Sequence, residues 1–346
     1  MDFMLYLGTS RAGTELTWSE ASNSHLYVSG QSGRGKSCFL KHGIAQLPQQ
    51  GVRCIVFDYT GDLHQFGMPC DRLNVRSQVR IDPFRPLLLG KDYREERYDT
   101  AVRIAEVIFS IGSVRGSLQQ ACLRNALQEY IDRGDVAAGF SGLIMQIKSD
   151  PKLARTMVPT LSRLQDLASL LPASSQIFSW RLEQPGITAL QFDTLPNISA
   201  QTMMTQFLLF DLWSEKLSQS QDSCPVVVVL DECQRFRFEE DGIFARILRE
   251  GRKYHFSGWF ASQWINDKNA VATLNQAALR AYFYPGDDKV NVLAKRLACD
   301  NNSLQDYKRL LHELRIGEFM YIGPHGRPLV NCVPDIKKEE KCAMIC

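Results

Sequence analysis

The chain has 346 residues, of which 45% are hydrophobic and 23% are charged, and its 40 basic and 38 acidic side chains give a formal net charge of +2. This composition excludes a disordered, collagen-like or coiled-coil protein, and the length allows one large domain or two smaller ones. The near-neutral charge neither requires nor excludes a nucleic-acid partner.

The first predicted elements alternate between strand and helix. Residues 24–30 form an apolar run that ends at a glycine, a helix is predicted from about Lys36 to Leu47, and residues 51–58 form the next apolar run. Strands that alternate with helices are typical of an α/β domain with a mainly parallel sheet.

From about Asp92 to Ser179 the apolar residues instead recur at helical spacing, as at Ala101, Ile104 and Ile108, and this block contains no strong strand. We interpret it as an insertion into a discontinuous core. The predicted organisation is a core at 1–90 and 185–336, an inserted helical subdomain at 91–184 and a C-terminal tail at 337–346.

The α/β pattern returns after the insertion. Strands are predicted at 186–192, 225–232, 257–263, 279–285, 317–323 and 328–333, and helices at 198–217, 243–253, 289–298 and 303–315. The last two strands are interpreted as a hairpin at the edge of the sheet. The helix at 198–217 carries an apolar stripe, which we assign to the core rather than to a ligand site: Met203, Phe207, Phe210 and Trp213.

Residues 30–37, GQSGRGKS, are called the phosphate loop below. They match the pattern G-x-x-x-x-G-K-[ST], and they leave an apolar strand and enter a helix, as that motif requires. Lys36 can reach the β- and γ-phosphates, and the Ser37 hydroxyl can hold Mg²⁺. The predicted nucleotide-binding residues are Gly30, Gln31, Ser32, Gly33, Arg34, Gly35, Lys36, Ser37 and Cys38. The alternative is a glycine-rich turn whose lysine is only solvated.

The second motif, PVVVVLDE at 225–232, is an apolar strand that ends in two carboxylates. Asp231 is predicted to complete the Mg²⁺ shell and Glu232 to polarise the attacking water, whereas the alternative is a pair of acids that only cap the next helix. A GTPase would need a base-specificity motif such as N-K-x-D, which we do not find, and small-molecule kinases rarely keep the adjacent glutamate. The sequence therefore favours Mg²⁺-dependent hydrolysis of ATP.

Two further polar features follow the acid pair. Gln263 ends the predicted strand at 257–263, where its amide can bind the γ-phosphate or the lytic water. Arg249, Arg252 and Lys253 cluster at the end of the preceding helix. These cations can interact with the helix C-terminus or reach ATP on a neighbouring subunit, and the spacing alone does not decide between the two.

Together these motifs resemble those of the HerA/FtsK superfamily of P-loop ATPases, and HerA-type proteins and the conjugative and type IV secretion ATPases are the nearest members. The segments that carry the resemblance are GQSGRGKS, FDYTGDL at 57–63, LDE, R-E-G-R-K and ASQ. The resemblance covers about residues 20 to 335. It also includes IDPF at 81–84, which leads into a helical block, because those relatives insert a helical subdomain between early strands.

The resemblance implies a RecA-like core and a homo-hexameric ring with ATP bound between subunits. It identifies Lys36, Ser37, Asp231 and Glu232 with the two ATPase motifs and Gln263 with the sensor glutamine. Arg252 matches the arginine finger that acts on the neighbouring subunit, with Arg249 in reserve. Most members translocate DNA, which makes DNA the expected partner.

The chain also departs from these relatives, since the sequence contains no N-terminal β-barrel, membrane helices or winged helix that we can identify. The leading hypothesis is a ring motor that translocates or remodels DNA, with Trp264–Gln276 as a candidate DNA-contacting segment. Two alternatives stay open. The ring could be a nucleotide-gated scaffold that controls a partner effector such as a nuclease, or it could power a secretion or conjugation channel.

The apolar runs, the cysteines and the histidines give expectations about membrane insertion, cellular compartment and metal binding. The longest apolar run, Val226 to Leu230, is far below the roughly 18–20 residues of a membrane helix, and the start of the chain lacks the pattern of a signal peptide. Ten scattered cysteines without a C-x-x-C pair are typical of a reducing compartment, so we expect a cytoplasmic protein without stable membrane insertion. The six histidines show no metal-ligand spacing, and no zinc site is predicted.

Overall fold

The computed structural model describes residues 4–19, 23–61, 69–111, 116–134, 136–172, 177–219, 223–298 and 300–322 and the strand at 329–332. The chain forms two compact units. The first unit consists of Met1–Arg72, Leu182–Leu190 and Cys224–Cys346, and the second of Leu73–Arg181 and Gln191–Ser223. The division of the chain into a core and an insertion at 91–184 stays a prediction, since the second unit begins at Leu73 and includes a helix that the sequence analysis placed in the core.

The strands are β1 (Met4–Ser10), β2 (Glu15–Ser19), β3 (Leu26–Ser29), β4 (Arg53–Asp58), β5 (Asp71–Asn74), β6 (Leu88–Gly90), β7 (Tyr93–Arg94), β8 (Gly186–Gln191), β9 (Val226–Leu230), β10 (Phe256–Ser262), β11 (Leu279–Phe283), β12 (Glu318–Ile322) and β13 (Leu329–Cys332). The α-helices are α1 (Lys36–Gln46), α2 (Val75–Gln78), α3 (Arg97–Phe109), α4 (Ser117–Asp132), α5 (Gly139–Ser149), α6 (Pro151–Thr156), α7 (Val158–Leu170), α8 (Ile198–Ser218), α9 (Ile243–Glu250), α10 (Lys268–Leu274), α11 (Asp287–Leu297) and α12 (Asn301–Glu313). Short 3₁₀ turns lie at Pro48–Gln50, Val136–Ala138, Cys233–Arg235 and Gly251–Tyr254.

The first unit is built on one sheet with the strand order β2-β1-β13-β12-β11-β3-β10-β9-β4-β8-β5. The five strands from β11 to β4 pair in parallel. The strands from β2 to β11 at the other side of the order pair antiparallel. β5 ends the order, and the chain passes from the first unit to the second within it.

The central strands are apolar because the sheet buries both of their faces. Every residue of β4 and β9 is buried, as expected for parallel strands that are covered on both sides. The register pairs Ser29 of β3 with Ser262 of β10, and Phe260 with Leu230 of β9. The segments that follow β3, β9 and β10 therefore meet at one edge of the sheet.

The strands and helices that the sequence analysis predicted for the core are present in the structure, whereas β1, β2, β5 and α10 were not predicted. β12 and β13 pair antiparallel, as predicted, but the prediction that they form the edge of the sheet is wrong. β1 pairs with β13, and β2 pairs with β1, so the sheet continues by two strands that the sequence analysis did not predict. The register of β1 and β2 shifts at Gly8, and this irregularity weakens the alternation by which a strand is recognised.

The second unit consists of α2–α8 and the small β6–β7 pair. Two ion pairs with buried carboxylates tie its elements together: the buried Arg103 bonds Glu95 at 2.6 Å, and the half-buried Arg85 bonds Asp211 at 2.6 Å. The other carboxylate oxygen of Asp211 accepts from Trp180 Nε1 at 2.9 Å. Because both acids have their oxygens occupied by donors, their burial does not leave an uncompensated charge.

The apolar stripe of α8 is buried, as the sequence analysis predicted, but it packs in the second unit and not in the predicted core. Its side chains are all buried: Met203, Phe207, Phe210 and Trp213. Phe207 contacts the ring of Phe140, which in turn contacts Phe84. Among the described residues, no helix is long and apolar enough to cross a membrane.

Candidate nucleotide-binding site

The phosphate loop connects the end of β3 to the start of α1, as its motif requires. Gly35 precedes α1 with φ 109°, in the left-handed region that favours glycine. A Cβ on Gly30 would lie 2.5 Å from Cβ of Phe283, so only glycine fits against β11 there. Ser32 and Gly33, at the tip, are exposed. The loop therefore holds its backbone open to solvent at the N-terminus of α1, where N–H groups can bind an anion.

Lys36 is the first residue of α1, and its side chain is buried, with a relative exposure of 6%. Its Nζ donates to the carbonyl oxygen of Gln31 at 3.3 Å, across the phosphate loop. Burial lowers the pKa of Lys36, while the nearby Asp231 and Glu232 oppose that shift. The ammonium thus lies inside the phosphate loop, where it donates to the Gln31 carbonyl and has Asp231 and Glu232 nearby.

Ser37 and Asp231 meet across the sheet edge. The Ser37 hydroxyl donates to Asp231 Oδ2 at 3.4 Å, and the other oxygen of Asp231 accepts from the Glu232 backbone N–H at 2.8 Å. Burial raises the pKa of Asp231, and the bond from Glu232 and the charge of Lys36 oppose that shift. A hydroxyl and a carboxylate at this spacing fit Mg²⁺, which takes few protein ligands and keeps its other positions for water and phosphate.

Glu232 is held in place by two side-chain amides. Its own backbone is left-handed, with φ 56°, a strained conformation for a residue other than glycine. Gln263 Nε2 donates to Glu232 Oε1 at 3.0 Å and to Oε2 at 3.3 Å. Gln234 Nε2 also donates to Oε2 of the same carboxylate, and Gln234 Oε1 accepts from the Gln263 backbone N–H at 3.3 Å. These three residues close a ring of hydrogen bonds.

Gln234 is a site residue that the sequence analysis missed. It lies in the short 3₁₀ turn that follows the acid pair, and it is half-buried. Its position two residues after Glu232 was the available signal. That signal is weak, because only the geometry of the turn brings the Gln234 amide back to the carboxylate.

The predicted arginine cluster lies at the opposite end of β10. Arg252 and Lys253 are exposed in the turn Gly251–Tyr254 that precedes the strand, and Arg249 is exposed at the end of α9. At about 3.3 Å per residue, β10 separates this end of the sheet from Gln263 by about 20 Å. The structure therefore brings Gln263 to the phosphate loop and leaves Arg252 away from it.

The segment that follows Gln263 is anchored to α11. The Trp264 ring lies under the guanidinium of Arg296, with 4.8 Å from Cζ to the ring centroid, and Arg296 donates to the Ile265 carbonyl at 3.0 Å. Lys268 and Asn269 are exposed at the start of α10. The role of residues 264–276 in contacting DNA stays a prediction.

On the β11 side, the phosphate loop is fixed by backbone hydrogen bonds. Gln31 N–H donates to the Tyr284 carbonyl at 2.9 Å, and Gly317 N–H donates to the Arg34 carbonyl at 3.0 Å. The Arg34 guanidinium lies 4.3 Å from the centroid of the Tyr284 ring. Cys38, in the first turn of α1, is a free and exposed thiol.

Of the FDYTGDL segment, the structure describes residues 57–61 only. Asp58 is fully buried at the end of β4, where Oδ1 accepts from the backbone N–H groups of Thr60 at 3.3 Å and Gly61 at 2.9 Å. These bonds fix the turn that leaves β4.

Comparison with known proteins agrees with this geometry. The sequence model of the family described as the type IV secretion-system coupling protein DNA-binding domain matches residues 10–72, which include the phosphate loop. No curated protein sequence matches the chain.

Among solved structures, VirB4 of Thermoanaerobacter pseudethanolicus aligns with a TM-score of 0.71 and 16% identity, over 97% of this chain and 98% of that one. The conjugative coupling protein TrwB aligns with a TM-score of 0.59 and 15% identity, over 95% of this chain and 86% of that one. The predicted resemblance and the predicted fold class, an α/β RecA-like P-loop core with a mainly parallel sheet, are thereby confirmed.

Proposed function

We propose that this chain is an ATP-hydrolysing motor that assembles as a homo-hexameric ring and translocates DNA. The observation that carries the proposal is the arrangement at the edge of the sheet: Lys36 inside the phosphate loop, Ser37 against Asp231, and Glu232 hydrogen-bonded to Gln263. A phosphate loop by itself is shared by kinases and GTPases. The second acid next to Asp231, with an amide that reaches it, favours hydrolysis.

In the proposed reaction, some residues of the site bind the nucleotide and Mg²⁺, and others act on the attacking water. The backbone of residues 30–38 binds the phosphates, and Lys36 neutralises charge on the β- and γ-phosphates. Ser37 and Asp231 would hold Mg²⁺, which would supply electrostatic stabilisation of the transferring phosphoryl group. Glu232 accepts a proton from the attacking water, and Gln263 orients that water or the γ-phosphate. TrwB has been solved with the ATP analogue ADPNP and with ADP and Mg²⁺, which supports this choice of ligands.

DNA is the cargo that the comparisons favour. The matched family is described as a DNA-binding domain of a coupling protein, and TrwB is a plasmid coupling protein. A net charge of +2 is compatible with this cargo in a ring, because each subunit then needs only a few basic contacts with the phosphate backbone. Lys268 and Asn269 are the exposed polar side chains that we assign to this contact.

A role in a secretion or conjugation channel is the second candidate, and the description of the matched family as a type IV secretion-system coupling protein domain favours it. It uses the same hydrolytic site with a membrane channel as the partner. Control of a partner effector stays a prediction from the sequence, as does location in the cytoplasm.

The proposal is tested by ATP turnover with and without DNA, at several salt concentrations. Wild-type protein should turn over ATP faster when DNA is present, and added salt should weaken that stimulation, because phosphate contacts are salt-dependent. Glu232→Gln should lower kcat on the order of 10²-fold or more, whereas Glu240→Gln, at an exposed position, should not. Turnover that DNA does not change, together with an unchanged oligomeric state, would contradict the motor.

A further inference from the structure

We infer that Arg34, Tyr284 and Ile316 form the subsite for the purine base of the nucleotide, an inference that rests on the proposed ATPase function. No sequence motif marks these residues as a group, since they come from the phosphate loop, the end of β11 and the turn before β12.

The order of the strands fixes the direction of the nucleotide. β10 and β9 lie on one side of β3, and their ends carry Gln263, Asp231 and Glu232. These groups are the ones that act on Mg²⁺ and on the γ-phosphate, so the phosphate chain ends on that side. The base is attached at the other end of the phosphate chain, and it therefore leaves the loop toward β11, on the opposite side of β3.

Within the part of the chain that the structure describes, two segments border the phosphate loop on the β11 side. One is the end of β11, where the Tyr284 carbonyl accepts from Gln31. The other is the turn before β12, where Gly317 N–H donates to the Arg34 carbonyl and a Cβ on Gly35 would lie 3.2 Å from Gly317 Cα. The base has to lie next to these two segments.

Both segments present surfaces that suit a flat aromatic ring. The Arg34 guanidinium is already stacked on the Tyr284 ring at 4.3 Å, and the Tyr284 hydroxyl donates to Asp287 Oδ1 at 2.6 Å, which fixes the orientation of that ring. Ile316, next to Gly317, has 73% of its surface exposed, the largest fraction among the large apolar side chains of the described residues. A purine gains by burying this side chain and by stacking on the guanidinium.

The ligand of the subsite is the base of a purine nucleoside triphosphate. A test has to separate the base from the phosphates, and inorganic tripolyphosphate does so because it carries the phosphate chain without a base. The affinities for ATP and for tripolyphosphate, each with Mg²⁺, are measured by calorimetry on the full chain. The variants are Ile316→Ala, Tyr284→Ala and, as the control, Val292→Ala, an exposed apolar residue of α11.

Ile316→Ala and Tyr284→Ala should each weaken ATP binding by about fivefold to tenfold, with tripolyphosphate binding unchanged and Val292→Ala like wild type. Both variants keep the backbone groups that hold the phosphate loop, and Ile316 is too exposed for its truncation to unfold the chain. Equal losses for the two ligands, or no loss for ATP, would overturn the base subsite alone. Wild-type protein that binds neither ligand would overturn the ATPase assignment together with it.

Discussion

At the scale of single residues, the site buries two groups of opposite charge, Lys36 and Asp231, and burial disfavours the charged form of each. Burial lowers the pKa of Lys36 and raises that of Asp231, and in each case the other group opposes the shift. The charged forms therefore support each other, and removing the Lys36 ammonium also removes the cation that favours ionised Asp231. This coupling adds an electrostatic reason, besides the lost phosphate contact, for Lys36→Ala to abolish ATP binding.

Gln234 should matter for turnover more than for binding. It donates to Glu232 Oε2, while Gln263 donates to both oxygens of that carboxylate. When Gln263 turns to the γ-phosphate, Gln234 is left to aim the carboxylate at water. Gln234→Ala should lower kcat about tenfold and change KM little. Steady-state kinetics should show this split, with Gln305→Ala on the exposed face of α12 as the control. A rise in KM of about tenfold with kcat unchanged would contradict this role.

The residues of the phosphate loop could be predicted because their spacing along the chain determines their geometry. The same holds for Asp231 and Glu232 at the end of an apolar strand. Gln234 could not be predicted, because its contact depends on the left-handed backbone of Glu232 and on the turn that follows. A side chain placed by a turn leaves no periodic signal in the sequence.

At the scale of elements, the pairing of β3 with β10 organises both ends of the first unit. One end carries the phosphate loop and Gln263. At the other end, His25 is buried beside β10, where its Nδ1 accepts from the Gly258 backbone N–H at 2.9 Å and Trp259 Nε1 donates to the Ser24 carbonyl at 3.1 Å. These bonds fix the start of β3 against β10 and thereby the register at the site.

His25 should make the stability of this end dependent on pH. Burial lowers the pKa of His25 to about 4 from the usual 6.5, so between those values the unfolded chain binds a proton that the folded chain does not. Neutral His25 therefore makes its full contribution to the free energy of unfolding above about pH 6.5. This contribution falls as the pH drops toward 4, and the loss amounts to at most about 3 kcal/mol.

Urea unfolding of wild type and His25→Gln across pH 4–7.5 measures this dependence. The difference in unfolding free energy between the two proteins should be constant above about pH 6.5 and should move in favour of the variant below it. A difference that is the same at pH 7 and at pH 4.5 would contradict the assignment of this pH dependence to His25.

The elements of the core could be predicted largely because buried parallel strands are continuous apolar runs. β1 and β2 were missed because a hairpin interrupted at Gly8 carries a weaker pattern. The hairpin of β12 and β13 was predicted, but the pairing of β13 with β1 was not, since a sequence pattern does not tell which strand lies beside another. Likewise, helical spacing identified α8 as a core helix without telling to which unit it belongs.

At the scale of the whole molecule, the length of β10 separates the two parts of the proposed hydrolytic machinery. Arg252 lies about 20 Å from Gln263, at the far end of β10, which is too far for it to reach a nucleotide on its own phosphate loop. A ring in which each subunit presents this end to its neighbour gives Arg252 a nucleotide to act on. The proposed hexamer and the proposed finger therefore depend on each other.

Mixed assemblies test this dependence. Arg252→Ala should lower turnover on the order of 10³-fold and spare ATP binding. Glu232→Gln should also be inactive, but mixing the two variants should restore measurable turnover, because a Glu232→Gln subunit supplies its intact finger to an Arg252→Ala neighbour. Lys148→Ala, an exposed lysine of α5, is the control for loss of a surface cation. Mixtures that stay inactive although the subunits co-assemble would contradict action on a neighbouring subunit.

The near-neutral charge of the chain bears on whether DNA binding needs the assembled ring. With 40 basic and 38 acidic residues, a single subunit has little excess charge with which to hold DNA. A hexamer repeats each exposed cation six times around one axis, so a few side chains such as Lys268 suffice. Binding to DNA should therefore follow assembly of the ring.

The proposed motor moves along DNA as it hydrolyses ATP, and displacement of streptavidin from biotin-labelled DNA measures that movement. Wild-type protein should displace streptavidin with ATP and Mg²⁺. It should fail to do so with a non-hydrolysable ATP analogue, and Glu232→Gln should fail with ATP. Full ATP turnover in the presence of DNA without any displacement would contradict the claim.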